Sequence, residues 1–252
     1  MIDARRIEEA GLNALQTQRQ LFYDGWLLRM SPGKAKRARS VNAHFGSTLP
    51  LERKIVHCER VYGERELPTL FRMTPFVRPA ELEQALTRRG YRPFDTTLVQ
   101  AVELVGAALP AHDPADAVLV EPSIDAFVDA VGKLRGSPPQ QREAHRERLG
   151  HSPLDGRHVV ALVDGEPVAA GKTARDGDVV GVFDLVTAEH ARGRGIATAL
   201  VARLLARAWD RGARMAYLQV DAGNAPALAV YRRFGFETIY TYHYCGREGE
   251  CR

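Results

Sequence analysis

Two periods of hydrophobic residues run through the second half of the chain. The stretch Val179-Val180-Gly181-Val182-Phe183-Asp184-Leu185-Val186-Thr187 is apolar and β-branched, which predicts a buried strand. A polar loop, Ala188 to Ala191, follows, and the run Arg192-Gly193-Arg194-Gly195 then opens a helix over Ile196 to Asp210. There Ile196, Leu200, Leu204 and Ala208 recur every four residues, while Arg203, Arg207 and Arg211 fall on another face, the mark of an amphipathic helix. A second strand, Met215 to Val220, leads through Asp221-Ala222-Gly223 to Asn224, placed to cap a short helix from Ala225 to Phe234. Pro226 sits in the first turn of that helix, where its missing N–H costs little, and Gly235 ends it.

The first half has a similar rhythm. Residues 1 to 20 read as a helix with Ile7, Ala10 and Leu15 on its apolar side. Tyr23 to Met30 is a turn feeding a strand, Ser31-Pro32-Gly33 a hairpin loop and Ala38 to His44 the returning strand. Then come a helix (Leu49 to Tyr62), a strand (Leu67 to Thr74), a helix (Pro79 to Arg89) and a strand (Thr96 to Leu104). Val105 to Ala117 lacks periodicity and carries two prolines, which marks a linker. Beyond it a short strand (Val118 to Val120) precedes helices over Ile124 to Leu134 and Gln140 to Leu149. Val159 to Val163 and Val168 to Thr173 then flank the hairpin signal Asp164-Gly165-Glu166. The expected fold class is α/β (α+β), with a mixed, largely antiparallel central sheet flanked by helices. The expected domains are 1–108 and 117–252.

The junction at Arg192 suggests chemistry because the first turn of a helix leaves its N–H groups without intrahelical partners, and the macrodipole adds partial positive charge. Gly193 and Gly195 let the chain take a tight path with positive φ, so that main-chain amides face an anion. A diphosphate suits such a site. The run is not followed by Gly-Lys-Ser/Thr, and no Gly-x-Gly-x-x-Gly is present, so neither a P-loop nor a dinucleotide fingerprint fits. Turn chemistry alone is the competing reading of these glycines.

Arg-x-x-Gly-x-Ala at 192–197, followed by Asn224, Ala227, Tyr231 and Gly235-Phe236, resembles the GNAT superfamily of acyl-CoA-dependent N-acyltransferases. The resemblance covers roughly the last half of the chain. It implies that the amides of Gly193, Arg194, Gly195, Ile196, Ala197 and Thr198, beside Arg192, hold the pyrophosphate of acetyl-CoA. It implies also that Leu185, Val186 and Thr187 pair through their backbone with the pantetheine arm, that Asn224 lies near it, and that Tyr231 protonates the leaving thiolate. Arg88-Arg89-Gly90-Tyr91 echoes Arg232-Arg233-Phe234-Gly235-Phe236, and with the glycines superposed Leu86 fills the place of Tyr231. The expectation is two GNAT-like units in tandem, the first degenerate, with an unrelated α/β cap as the alternative.

Composition narrows the class. An apolar share of 45% supports packed cores, and no apolar run approaches membrane-spanning length. The N-terminus lacks a secretory pattern, so a cytoplasmic location without membrane contact is expected. Cys58, Cys245 and Cys251 form neither a disulfide framework nor a zinc pattern, so no metal is expected. The net charge of +4, from 35 basic and 31 acidic residues spread along the chain, is no nucleic-acid footprint. Arg29, Lys34, Lys36, Arg37 and Arg39 form a basic cluster, read either as an acidic-substrate contact or as a solvated hairpin edge.

For transfer to an amine, a phenol of pKa about 10 can hydrogen-bond to or protonate a thiolate whose parent pKa is about 8.5, which suits Tyr231. Outside the family context, Tyr231 would be core packing and Asn224 a plain cap. The base is less legible. The resemblance sets Gln219 where many family members acting on protein N-termini carry a glutamate. Asp184 is the nearest carboxylate, with Glu189, Asp221 or a water chain as alternatives. His243, Tyr23, Trp26 and the terminal aromatics are candidates for the acceptor pocket, with a structural role as the alternative for His243. The expected activity is N-acetyl transfer to a small-molecule or peptide primary amine in a ternary complex, with homodimer formation left open. A non-catalytic acyl-CoA-binding sensor or interaction module is the alternative.

Overall fold

The structure, a computed structural model, describes residues 2–17, 19–31, 35–105 and 116–249. The helices are α1 (Ala4–Asn13), α2 (Leu51–Gly63), α3 (Leu82–Arg88), α4 (Ile124–Arg135), α5 (Pro139–Gly150), α6 (Ile196–Asp210) and α7 (Ala225–Arg232). The strands are β1 (Gln20–Tyr23), β2 (Trp26–Arg29), β3 (Val41–Asn42), β4 (Phe71–Met73), β5 (Arg92–Glu103), β6 (Val118–Val120), β7 (Asp155–Val163), β8 (Glu166–Asp176), β9 (Val179–Thr187), β10 (Met215–Asp221) and β11 (Glu237–Gly246). The linker reading falls largely on residues 106–115, and the hairpin-loop reading and Lys34 on residues 32–34, all outside the described residues.

Two compact units interleave along the sequence. One comprises Met1–Gln16 and Val99–Ile239, the other Thr17–Leu98 and Tyr240–Arg252. This division differs from the expected boundary between 108 and 117. Strands β5 and β11 each begin in one unit and end in the other. Side-chain periodicity reports which face of a strand is buried, not which strand lies beside it.

In the unit containing residues 17–98, the strand order is β1-β2-β3-β4-β11. β1, β2 and β3 are antiparallel neighbours, β3 and β4 are parallel, and β11 closes the set antiparallel to β4, with His243 opposite Met73. Its core sets Trp26 edge-on to Phe71 at 6.1 Å and Phe71 edge-on to Tyr91 at 5.4 Å. The Tyr62 hydroxyl donates to the Arg29 carbonyl at 2.7 Å. Within the basic cluster, Arg29 is buried and Lys36 is bonded to Asp95, so these two serve the fold of the hairpin region. The helix expected over 1–20 ends at Asn13, because Gln20–Tyr23 pairs with β2 and tertiary pairing overrides local propensity.

The unit containing residues 99–239 has the order β5-β10-β9-β8-β7-β6. β6 to β9 are antiparallel neighbours, while β10 runs parallel to β9 after the α6 crossover. Adjacent residues of β8 show what covers each face. A side chain at Gly171 would meet Leu200 and Leu204 of α6, whereas Ala170 packs with Phe127, Ala130 and Val131 of α4. α1 is tied to this unit by Arg6 and Asn13, which both donate to Asp176, at 3.0 and 2.9 Å. Both units thus follow one order: hairpin, third antiparallel strand, helix, parallel fourth strand, helix.

Candidate active site

Strand β9 and the start of α6 frame the site. The strand ends in a short 3-10 turn, Glu189–Ala191, anchored by the buried Ala191 and by the Ala188 N–H donating to the Val168 carbonyl at 2.8 Å. Gly193 and Gly195 follow with φ of 78° and 77°. A Cβ at Gly193 would meet nothing within 4 Å, so glycine is required there by backbone conformation and not by close approach. The first bond of the α6 ladder runs from Ala199 N–H to the Gly195 carbonyl at 3.0 Å, no side chain caps the helix, and its first turn holds no acid. The amides of Ile196, Ala197 and Thr198 therefore precede the ladder and present donors to an anion. Arg194 is paired with Asp116, and Arg192, largely exposed, lies 3.8 Å from Glu189.

Beside this turn the sheet opens. The β9–β10 ladder runs from Val179/Met215 to Val182/Leu218 and stops, yet β9 continues to Thr187 and β10 to Asp221. On its other side β9 stays paired, Val186 with Ala170 and Thr187 with Ala169. Leu185 to Thr187 therefore offer one edge of unpaired main chain towards the gap. The cause is a bulge: register slips between Ala170 and Lys172, so that Gly171 faces both Asp184 and Leu185, and Asp184 takes φ 54°. The extra residue turns consecutive side chains to one face. Phe183, opposite Lys172, and Asp184 both lie on the α4–α5 side, while Leu185 lies with Leu200 and Leu204 on the α6 side.

Asp184 meets four basic side chains there. It accepts from Arg135 Nη1 at 3.0 Å, and its Oδ2 lies 3.1 Å from His145 Nε2. Burial pushes its carboxyl up, but the His145 hydrogen bond and the charges of Lys172, His145 and Arg135 outweigh this and hold it well below the usual carboxylate range. The fourth, His158, has its ring 4.7 Å from that of Phe127 and is pushed down to about 4 by burial and by the nearby charge of Lys172. Both carboxylate oxygens of Asp184 are thus engaged by basic side chains.

On the other side of the gap, Asn224 Oδ1 accepts from Ala227 N–H at 3.2 Å, so the cap consumes its oxygen and leaves the amide NH₂ as a donor. Tyr231, seven residues and so about two turns beyond Asn224, is 7% exposed and edge-on to Phe236 at 6.0 Å. Burial pushes its phenol up to about 12, and no hydrogen bond to its hydroxyl is found among the described residues.

The profile of the acetyltransferase (GNAT) family matches residues 125–236, which contain the loop, both strands, Asn224 and Tyr231. Residues 125–236 are a GNAT acetyltransferase domain. Across its length the chain is similar to the uncharacterized N-acetyltransferase YobR of Bacillus subtilis (strain 168), 26% identical over 97% of this chain and 98% of the relative. The fold is similar to that of a GCN5-related N-acetyltransferase from Kribbella flavida (19% identity, TM-score 0.71, covering 98% of this chain and 96% of that one). It is similar also to a tandem GNAT protein from the clavulanic acid biosynthesis pathway, solved without acetyl-CoA (15% identity, TM-score 0.61, covering 82% and 74%).

Within the GNAT domain the sequence-derived coenzyme residues that precede Asn224 fall into two groups. Leu185, Val186 and Thr187 line the open edge, and Arg192, Gly193, Arg194, Gly195, Ile196, Ala197 and Thr198 form the turn and first helical turn beyond it. Gln219 lies past the last residue of β10 that pairs with β9. Around Asp184, by contrast, the structure gathers Arg135, His145, His158 and Lys172, none of which the sequence reading singles out. A signal for His145 exists: it is the buried residue of the otherwise polar α5, four residues before Leu149. Lys172 likewise interrupts an apolar strand run.

The acceptor-pocket candidates belong to the other unit. His243 belongs to the other unit, where it bonds Glu83 at 2.9 Å. Trp26 is sealed in that unit's core with its indole N–H on the Arg78 carbonyl at 2.9 Å, and Tyr23 stacks on His57 at 3.6 Å. Both aromatic rings serve the packing of that unit. Among the described residues one group, Glu83, His243 and Cys245, brings candidate metal-ligand atoms within 4.8 Å of one another. Also among the described residues, no helix is long and apolar enough to cross a membrane.

Proposed function

We propose that the GNAT domain transfers an acetyl group from acetyl-CoA to a primary amine of a small molecule or peptide, by direct attack in a ternary complex, in the cytoplasm. The observation that carries this reading is the open edge of β9 lying next to the uncapped start of α6. Together they offer main-chain groups for an extended amide-bearing arm and donors for a diphosphate at its end. In this reading the amides of Gly193 to Thr198 hold the pyrophosphate, Leu185 to Thr187 pair with pantetheine, and the free NH₂ of Asn224 donates to the same arm. Tyr231 remains protonated throughout the working pH range and donates a hydrogen bond to the departing sulfur. The unit containing residues 17–98 is a second, degenerate GNAT-like unit.

Calorimetry with acetyl-CoA, followed by a screen of primary amines that reads free thiol release, tests the proposal. The expected result is heat on adding acetyl-CoA and thiol release with at least one amine. Tyr231→Phe should lower kcat by about 10²-fold or more while leaving coenzyme affinity within about twofold. Coenzyme binding with no thiol release for any amine would favour an acyl-CoA sensor, and no binding at all would remove both readings.

A further inference from the structure

The bulge at Asp184 does more than open the sheet. It turns a carboxylate into a basic environment one residue before the edge assigned to pantetheine, and that carboxylate is anchored from two helices, by Arg135 of α4 and His145 of α5. An ionised carboxylate only accepts hydrogen bonds, so the hydrogen shared with Asp184 Oδ2 belongs to His145 Nε2. In the neutral imidazole the lone pair then resides on Nδ1. Among the described residues Nδ1 has no bonding partner, and it is not one of the interior polar atoms sealed from solvent. The ring stands edge-on to that of Phe127, with centroids 6.1 Å apart.

We propose that His145 is the proton acceptor of the transfer reaction and that Asp184 is its positioning residue. This rests on the acetyl-transfer reading above. The lone pair of a neutral amine forms the C–N bond to the acetyl carbonyl carbon, and the C–S bonding pair leaves on sulfur. One proton of the amine nitrogen passes to His145 Nδ1 and from there to solvent, and the thiolate, hydrogen-bonded by Tyr231, takes a proton from solvent. Asp184 stabilises the imidazolium so formed without itself being protonated. Arg135 and Lys172 keep its charge in place, and His158, from β7, stays neutral beside them. On α5, Arg142 bonds the Ser137 carbonyl, and Arg146 bonds Asp125, Asp129 and Glu143.

Two measurements test the assignment. With acetyl-CoA and an amine found by thiol release, His145→Gln should lower kcat by about 10²-fold or more, abolish the acidic limb of the kcat profile at saturating amine and leave the KM for acetyl-CoA unchanged. Asp184→Asn should shift that limb and lower kcat less. Full turnover with an unchanged acidic limb in His145→Gln would overturn the proposal while leaving acetyl transfer intact. No thiol release with any amine would instead overturn the transfer reading and this proposal with it. Ring-nitrogen NMR of the wild-type protein is the second measurement and does not depend on activity or on any variant folding. It should find the neutral His145 ring protonated at Nε2, and protonation at Nδ1 would refute the arrangement.

Discussion

His158 is the residue whose environment makes the plainest pH prediction. Its ordinary value is 6.5, and in the fold it is pushed down to about 4, chiefly by burial and then by the charge of Lys172. Between those values the unfolded chain binds a proton that the native ring refuses, so stability falls as pH is lowered across that window. The loss is about 1–2 kcal/mol once solvent screening at the partly open ring is allowed for. Asp184 acts lower on the scale: its depressed carboxyl contributes stability above the ordinary carboxylate range, and that contribution is lost as pH falls through its native value. His158→Phe keeps the ring contact with Phe127 and removes the titration. Denaturant unfolding at pH 7 and pH 4.5 should show a smaller loss in the variant, and an unchanged loss would refute the assignment. At this scale the sequence is legible where chemistry is local. Gly193, Gly195 and Asn224 act through their own backbone neighbourhood, so spacing alone locates them. Arg135, His145, His158 and Lys172 come from four separate elements, and no local pattern announces that they meet at Asp184.

Elements carry the next level of argument. The turn into α6 leaves its first amides open because two glycines hold positive φ and no side chain caps the helix. Gly195→Ala forces an L-residue into the left-handed region at a cost of about 1–2 kcal/mol, or moves the turn. Acetyl-CoA affinity should fall by more than about tenfold with only a modest drop in Tm, and calorimetry paired with thermal unfolding would check it. Unaltered affinity would separate the turn from coenzyme binding. The strand, helix and cap here are all readable from period and capping chemistry. The bulge is not. Asp184 sits in an apolar run whose alternation places it on one face or the other, and only the slip against β8 reveals that it shares a face with Phe183.

For the molecule as a whole, the exchange of β5 and β11 governs integrity. Residues 99–105 and α1 belong with the GNAT domain's unit, and Tyr240–Gly246 completes the sheet of the other unit against β4. A fragment covering 1–105 therefore lacks a strand of the unit it mostly builds, and a fragment covering 116–252 lacks α1 and β5. Each alone should show poor amide protection, and the two expressed together should recover cooperative unfolding and acetyl-CoA binding. Independent, stable folding of either fragment would refute the expectation. The repeated order of elements is foreshadowed by the matching arginine-glycine-aromatic endings, but strand partnership is a property of assembly and has no local signature. During synthesis this has a temporal meaning: the half translated first stays unfinished until residues 240–246 have cleared the ribosome, so its apolar sheet edge is a natural client for a chaperone in the interval.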